Sequence, residues 1–122
     1  MIEEQYVSFE TAKLAKEKGF DIPTRYGFSE RRSLVRVDTS DNWNQDKELY
    51  SRPTQSLLAR WLREVHDISV AAYRTWAMDN SYNYEILVGT DFEKMIREEC
   101  ECDRTYEEAM EAGLQEALKL LT

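Results

Sequence analysis

The residues that could do chemistry in this chain are few and scattered. Its single histidine, His66, precedes Asp67, a pairing suited to general base catalysis if the two side chains faced each other. Adjacent positions on a helix diverge by about 100°, so this is no ready-made dyad. His66 reads instead as a helix C-terminal residue whose protonated form the helix dipole favours. Cys100 and Cys102 alternate with Glu99, Glu101 and Asp103 and suggest a soft-metal knuckle. A closed zinc site needs four ligands, usually from two knuckles, and the sequence offers no second one. The acidic neighbours would also keep both thiols protonated. Incidental thiols are expected, with no metal and no cofactor.

Asp38, Ser40, Asn42 and Asn44 alternate as calcium ligands can. The stretch lacks a central glycine, and Leu49 stands where the twelfth loop position requires an acid. The four glycines form neither a nucleophile elbow nor a phosphate loop. With 24 Asp and Glu, some pair must fall within glycosidase distance by number alone, so abundance is no argument for hydrolysis. No catalytic residue is assigned.

Recognition chemistry is better represented. Arg25, Arg31, Arg32 and Arg36 form a basic cluster diluted only by Glu30, able to clamp an anion or an acidic partner. The plainer expectation is that they pair with the acidic half of the same fold. Trp43, with Tyr26 and Tyr50, lies in or near loops, where an exposed aromatic can anchor a partner, although loop aromatics commonly fold back onto their own domain. The candidate partner-contact residues are therefore Arg25, Tyr26, Arg31, Arg32, Trp43 and Tyr50.

The elements that must position these residues follow from caps and periodicity. Ser8 is a good N-cap for a helix that ends at Gly19. Two apolar runs, 22–28 and 34–37, predict a hairpin, with Pro23 pushing the first run towards a sheet edge. Residues 38–52 read as a long polar connection. A helix opens near Pro53 and Thr54, with Pro53 in its first turn. Leu57, Leu58, Trp61, Leu62 and Val65 form its apolar stripe, and it stops around His66 and Asp67. Alternation over 68–78 and 82–88 predicts a second hairpin. Thr90 to Glu93 fits a capping box, so 90–103 reads as a short helix followed by an extended piece. Thr105 and Glu108 form another capping box, opening a helix whose stripe is Tyr106, Met110, Gly113, Leu114, Ala117, Leu118 and Leu121. The expected fold is α+β, a helix–hairpin–helix–hairpin–helix chain with one small antiparallel sheet and the helices mainly on one face.

At 122 residues, with 42% hydrophobic and 33% charged residues, one globular domain spanning 1–122 is expected. No apolar stretch nears a membrane span and the start lacks signal-peptide character, so a cytoplasmic, membrane-free protein is expected. The net charge is −8. Residues 1–61 hold 10 bases and 10 acids, while 62–122 hold 6 and 14. That field repels phosphate backbones, so no direct nucleic-acid binding is expected.

The start, Glu4 to Ala12 with Lys18 to Asp21, the central segment Pro53 to Gln55 with Trp61 to Ile68, and Thr105 to Leu118 resemble a group of small proteins. That group occurs in Bacteroidetes bacteria and their phages or prophages and carries no assigned activity. The resemblance covers both ends and the central helix, not 29–52 or 79–104. It implies a phage- or mobile-element-linked cytoplasmic setting and transfers no site residue. The expected function is a non-enzymatic protein-interaction or accessory module with an unknown protein partner. An acidic decoy occupying a DNA-binding site on a host protein, and then a small carboxylate-based hydrolase, are the alternatives. Two hairpins leave at least one sheet edge open unless a helix or the 38–52 connection covers it. Either a homodimer or a covered edge is therefore expected, the homodimer being slightly favoured.

Overall fold

A computed structural model describes residues 3–75, 81–98 and 103–121, apart from the side chains of 36–39. Among the described residues the chain is α+β, with three helices and two three-stranded antiparallel sheets. The order is α1 (Phe9–Glu17), β1 (Thr24–Ser29), β2 (Leu34–Asp41), β3 (Leu49–Ser51), α2 (Gln55–His66), β4 (Ile68–Arg74), β5 (Tyr82–Val88), β6 (Ile96–Arg97) and α3 (Tyr106–Lys119).

Local chemistry sets the helix ends. The Ser8 hydroxyl accepts from the Thr11 amide at 3.3 Å, and Gly19, at φ 92°, takes the chain out of α1 in a conformation that side chains resist. Thr54 caps α2 by accepting from the Leu57 amide at 3.1 Å. Asp67, left-handed at φ 55°, ends it by donating its N–H to the Leu62 carbonyl. Thr105 and Glu108 form both halves of the capping box of α3, each at 3.1 Å. Pro53 stands just before the Thr54 cap, outside the first turn expected for it. There its buried carbonyl accepts from the Val7 amide at 3.1 Å.

The sheets depart from expectation in number. One sheet was expected, and there are two, ordered β2-β1-β3 and β4-β5-β6, because each hairpin recruits a third strand. The supposed polar connection 38–52 carries the end of β2, a 3-10 turn at Trp43–Gln45 and β3. β3 pairs with β1 through Phe28↔Tyr50. Pro23 does not place β1 at an edge. It lies one residue before a central strand, so its missing N–H breaks no ladder bond. In 90–98 the cap is Asp91, not Thr90, and the helix is a single 3-10 turn, Phe92–Lys94. The extended piece after it is β6, with Ile96 opposite Ile86. Residues 76–78 of the second hairpin, Trp76 included, and both Cys100 and Cys102 lie outside the described residues.

α3 is central to the core. It packs over β4 and β5, α2 packs over β4, and α1 lies against α3 and β3. Leu114 and Leu118 are fully buried together with Leu58, Leu62, Phe20 and Ile86. Each such side chain contributes about 1.5–3 kcal/mol by leaving water. Close approach of α3 to the sheet requires Gly113, where a Cβ would meet Tyr84 Cβ and Val70 Cγ1 at 2.9 Å. Trp61 is buried as its stripe predicts and meets the Phe20 ring edge-on at 5.3 Å. No helix among the described residues is long and apolar enough to cross a membrane.

Candidate functional site

Glu111 projects from the middle of α3 to the start of α1. Its Oε2 accepts from the Ser8 amide and the Ser8 hydroxyl, both at 2.9 Å, and from the Thr11 hydroxyl. Its Oε1 accepts from Gln55 Nε2, at 3.0 Å, and the same Gln55 nitrogen reaches the Glu107 carbonyl at 2.9 Å. Gln115 Nε2 completes the network by donating to Thr11 Oγ1 at 3.0 Å. A carboxylate from one helix thus sits at the positive end of another, and Gln55, the first residue of α2, ties in the third. The Ser8–Glu111 contact superficially resembles a nucleophile and base. However, Ser8 is already a cap and both carboxylate oxygens are engaged by donors, so the arrangement holds helices together and offers no free base.

Beside this network opens a cleft of about 490 Å³, within the range of ligand pockets. Its lining includes Thr105, Glu107, Glu108 and Glu111 from the start of α3, together with Tyr6, Phe28 and Arg52. The Arg52 guanidinium lies over the Tyr6 ring at 4.6 Å and the Phe28 ring at 5.3 Å. Its backbone is fixed by an N–H bond to the Tyr26 carbonyl at 2.9 Å. Burial pushes the Arg52 pKa down, an effect that Tyr6 and Tyr26 oppose. No described carboxylate forms an ion pair with it, and its inaccessible Nε has no protein acceptor.

The candidates read from sequence divide. Tyr26, Arg32 and Tyr50 gather in one aromatic and cationic layer next to the cleft. Tyr26 meets Tyr6 edge-on at 5.2 Å, Tyr50 meets Phe9 likewise at 5.2 Å, and Phe9 meets Phe28 at 5.6 Å. Arg32 covers Phe9 at 4.8 Å and Lys16 covers Tyr50 at 4.6 Å. Arg25 and Arg31 are exposed. Trp43 is no exposed anchor. It is 7% exposed, and its Nε1 donates to the Thr24 carbonyl at 2.9 Å, so the fold itself uses the indole.

The arginine cluster does not pair with the acidic half among the described residues. Arg32 instead bonds Glu10 at 2.5 Å, within the neutral half. The acidic half pairs largely with itself, through Arg97 and Glu85, Arg104 and Glu98, and Lys119 and Glu116. Asn42 and Asn44 serve the backbone. Asn42 Oδ1 accepts from the Asn44 amide, while Asn44 bridges the Phe20 carbonyl and the Ser51 amide, both at 2.8 Å. His66 packs edge-on against Trp61 at 4.7 Å. Among the described residues no group of three or more His, Cys, Asp or Glu is placed to hold a metal.

Sequence reading missed Glu111 and Arg52. Glu111 had a signal: it shares a helical line with Leu114 and Leu118, at spacings i, i+3 and i+7, so a carboxylate stands in an otherwise apolar row. Arg52 had none, since its environment comes from Tyr6 and Phe28, both remote in sequence. No protein-family model, no curated protein and no solved structure matches the chain.

Proposed function

We propose that this chain is a non-enzymatic protein-interaction module, a cytoplasmic accessory protein linked to a prophage or related element. The carrying observation is an uncovered apolar margin on the second sheet. Phe92 is 72% exposed, and Ile96 and Val88 about 40%. Ile96 opposes Ile86, and Val88 lies two residues further along β5, so Ile86, Val88 and Ile96 share the side that faces α3. Phe92 precedes β6 in a 3-10 turn. α2 and α3 pack over β4 and β5, which leaves that margin open. Asp91 and Glu93 are balanced by Lys94 and Arg97 along the same segment, so the margin is locally neutral and favours a partner presenting mainly apolar side chains. The same contacts support a helix–hairpin–helix–hairpin–helix plan, each hairpin widened by one strand. The decoy reading has less support, because acids of 91–116 are engaged by Lys94, Arg104, Lys119 and the Ser8 cap.

The test is recovery of a partner from extract of the native host by wild-type protein and by a Phe92→Asp, Ile96→Asp variant, with circular dichroism to establish that both fold. One protein retained by the wild type and lost by the variant is the expected result. Equal recovery by both would remove the margin from the binding surface.

A further inference from the structure

We propose that the cleft beside Arg52 is a recognition site for a carboxylate group, read by the Arg52 guanidinium. This goes beyond the interaction margin, which lies elsewhere. The cleft adjoins the start of α3, where Tyr106 meets Tyr82 at 5.7 Å, while Phe92 follows the other end of β5.

Three observations carry the proposal. Arg52 lines the cleft half-buried and has no counter-ion among the described residues, although a desolvated charge normally finds one. Its guanidinium carbon lies 4.6 Å from the Tyr6 ring centre and 5.3 Å from that of Phe28, so two rings and the backbone bond to Tyr26 confine the group before any ligand arrives. A planar fork of N–H donors matches a carboxylate in two parallel bonds, which an ammonium cannot do. The internal acid nearest in function, Glu111, is turned to Ser8, Thr11 and Gln55 instead.

The acidic part of the lining narrows the ligand class. Glu107, Glu108 and Glu111 give the same cleft negative charge, which opposes a phosphate dianion more than a monocarboxylate. The carboxylate can come from a free small acid or from the end of a peptide chain.

The experiment follows the Arg52 Nε–H resonance of the ¹⁵N-labelled full chain. Probes are sodium acetate, acetylated trialanine, its C-terminal amide, and inorganic phosphate. A saturable shift with the acid peptide and none with its amide is the expected result. Acetate matching the peptide supports a small-acid source, and acetate much weaker than the peptide supports a chain end. Arg52→Lys should weaken binding about tenfold or more, that is by about 1.4 kcal/mol. No saturable shift below about 10 mM with either acid overturns the proposal. So does an equal shift from the amide or tighter binding of phosphate.

Discussion

The Trp43 indole lies so close over Gly27 that a Cβ at Gly27 would stand 2.9 Å from Trp43 Cγ and Cδ2, and 3.0 Å from the Tyr50 carbonyl oxygen. Gly27 sits in the central strand β1, between β2 and β3. The absence of a side chain there lets the ring approach the strand closely while its Nε1 bonds the Thr24 carbonyl. Gly27→Ala is therefore expected to destabilise by about 1–3 kcal/mol, as overpacking does. Urea unfolding monitored by tryptophan fluorescence measures it. An unchanged midpoint would mean that the indole moves freely.

Glu111 gives the second prediction. Replacing it with Ala removes the acceptor for the Ser8 amide and the Ser8 and Thr11 hydroxyls at once, while Gln55 Nε2 keeps the Glu107 carbonyl. Each donor left without a partner costs about 1–3 kcal/mol where water cannot reach it. Glu111→Ala should thus lower stability more than Glu107→Ala, whose side chain is exposed. Paired denaturant curves settle the order, and equal losses would show that the network is solvated.

How much was legible follows from these cases. Ser8, Thr54 and Thr105 each announce a helix within a few residues, because capping is local chemistry, and Leu114 and Leu118 repeat along one face. β3 could not be read that way. Leu49, Tyr50 and Ser51 are too few to show alternation, and they are a strand because Phe28 and Gly27 lie opposite them. β6 has two residues and owes its identity to Ile86 and Glu85. Trp43 looked like a loop aromatic because the vacancy that receives it, at Gly27, belongs to another element. Arg52 is the extreme case, with every neighbour that defines it supplied from a distance.

Acid sensitivity at the start of α3 follows from Glu108. The Thr105 amide and then the Thr105 hydroxyl hold its carboxyl below the usual range. A depressed folded pKa means that the capping contribution is complete above the unfolded value, roughly 4.3, and disappears as pH falls through the folded one. Gln at this position keeps the box geometry but cannot titrate. The melting temperature advantage of wild type over Glu108→Gln should be present at neutral pH and shrink steadily as pH falls below the unfolded value. A constant difference across that range would rule out the carboxylate as its source.

The last prediction concerns β4. It lies at one end of the order β4-β5-β6, and among the described residues no strand pairs with its outer edge. Its sequence, Ile68 to Arg74, carries no acid and only one charged residue, so it lacks the repeated charges that usually protect an edge. Strand addition by a second copy would satisfy the open backbone groups, and a two-fold axis would present the same strand from both chains. The net charge of −8 opposes association in general, but little of it lies on β4, and salt would screen the remainder. The expected result is a dimer whose dissociation constant falls as salt rises, seen by sedimentation equilibrium over roughly a hundredfold range of concentration. If specific, its interface should bury more than roughly 1,000 Å². A mass fixed at one chain throughout that range, in low and in high salt, would mean that the edge stays unpaired in solution.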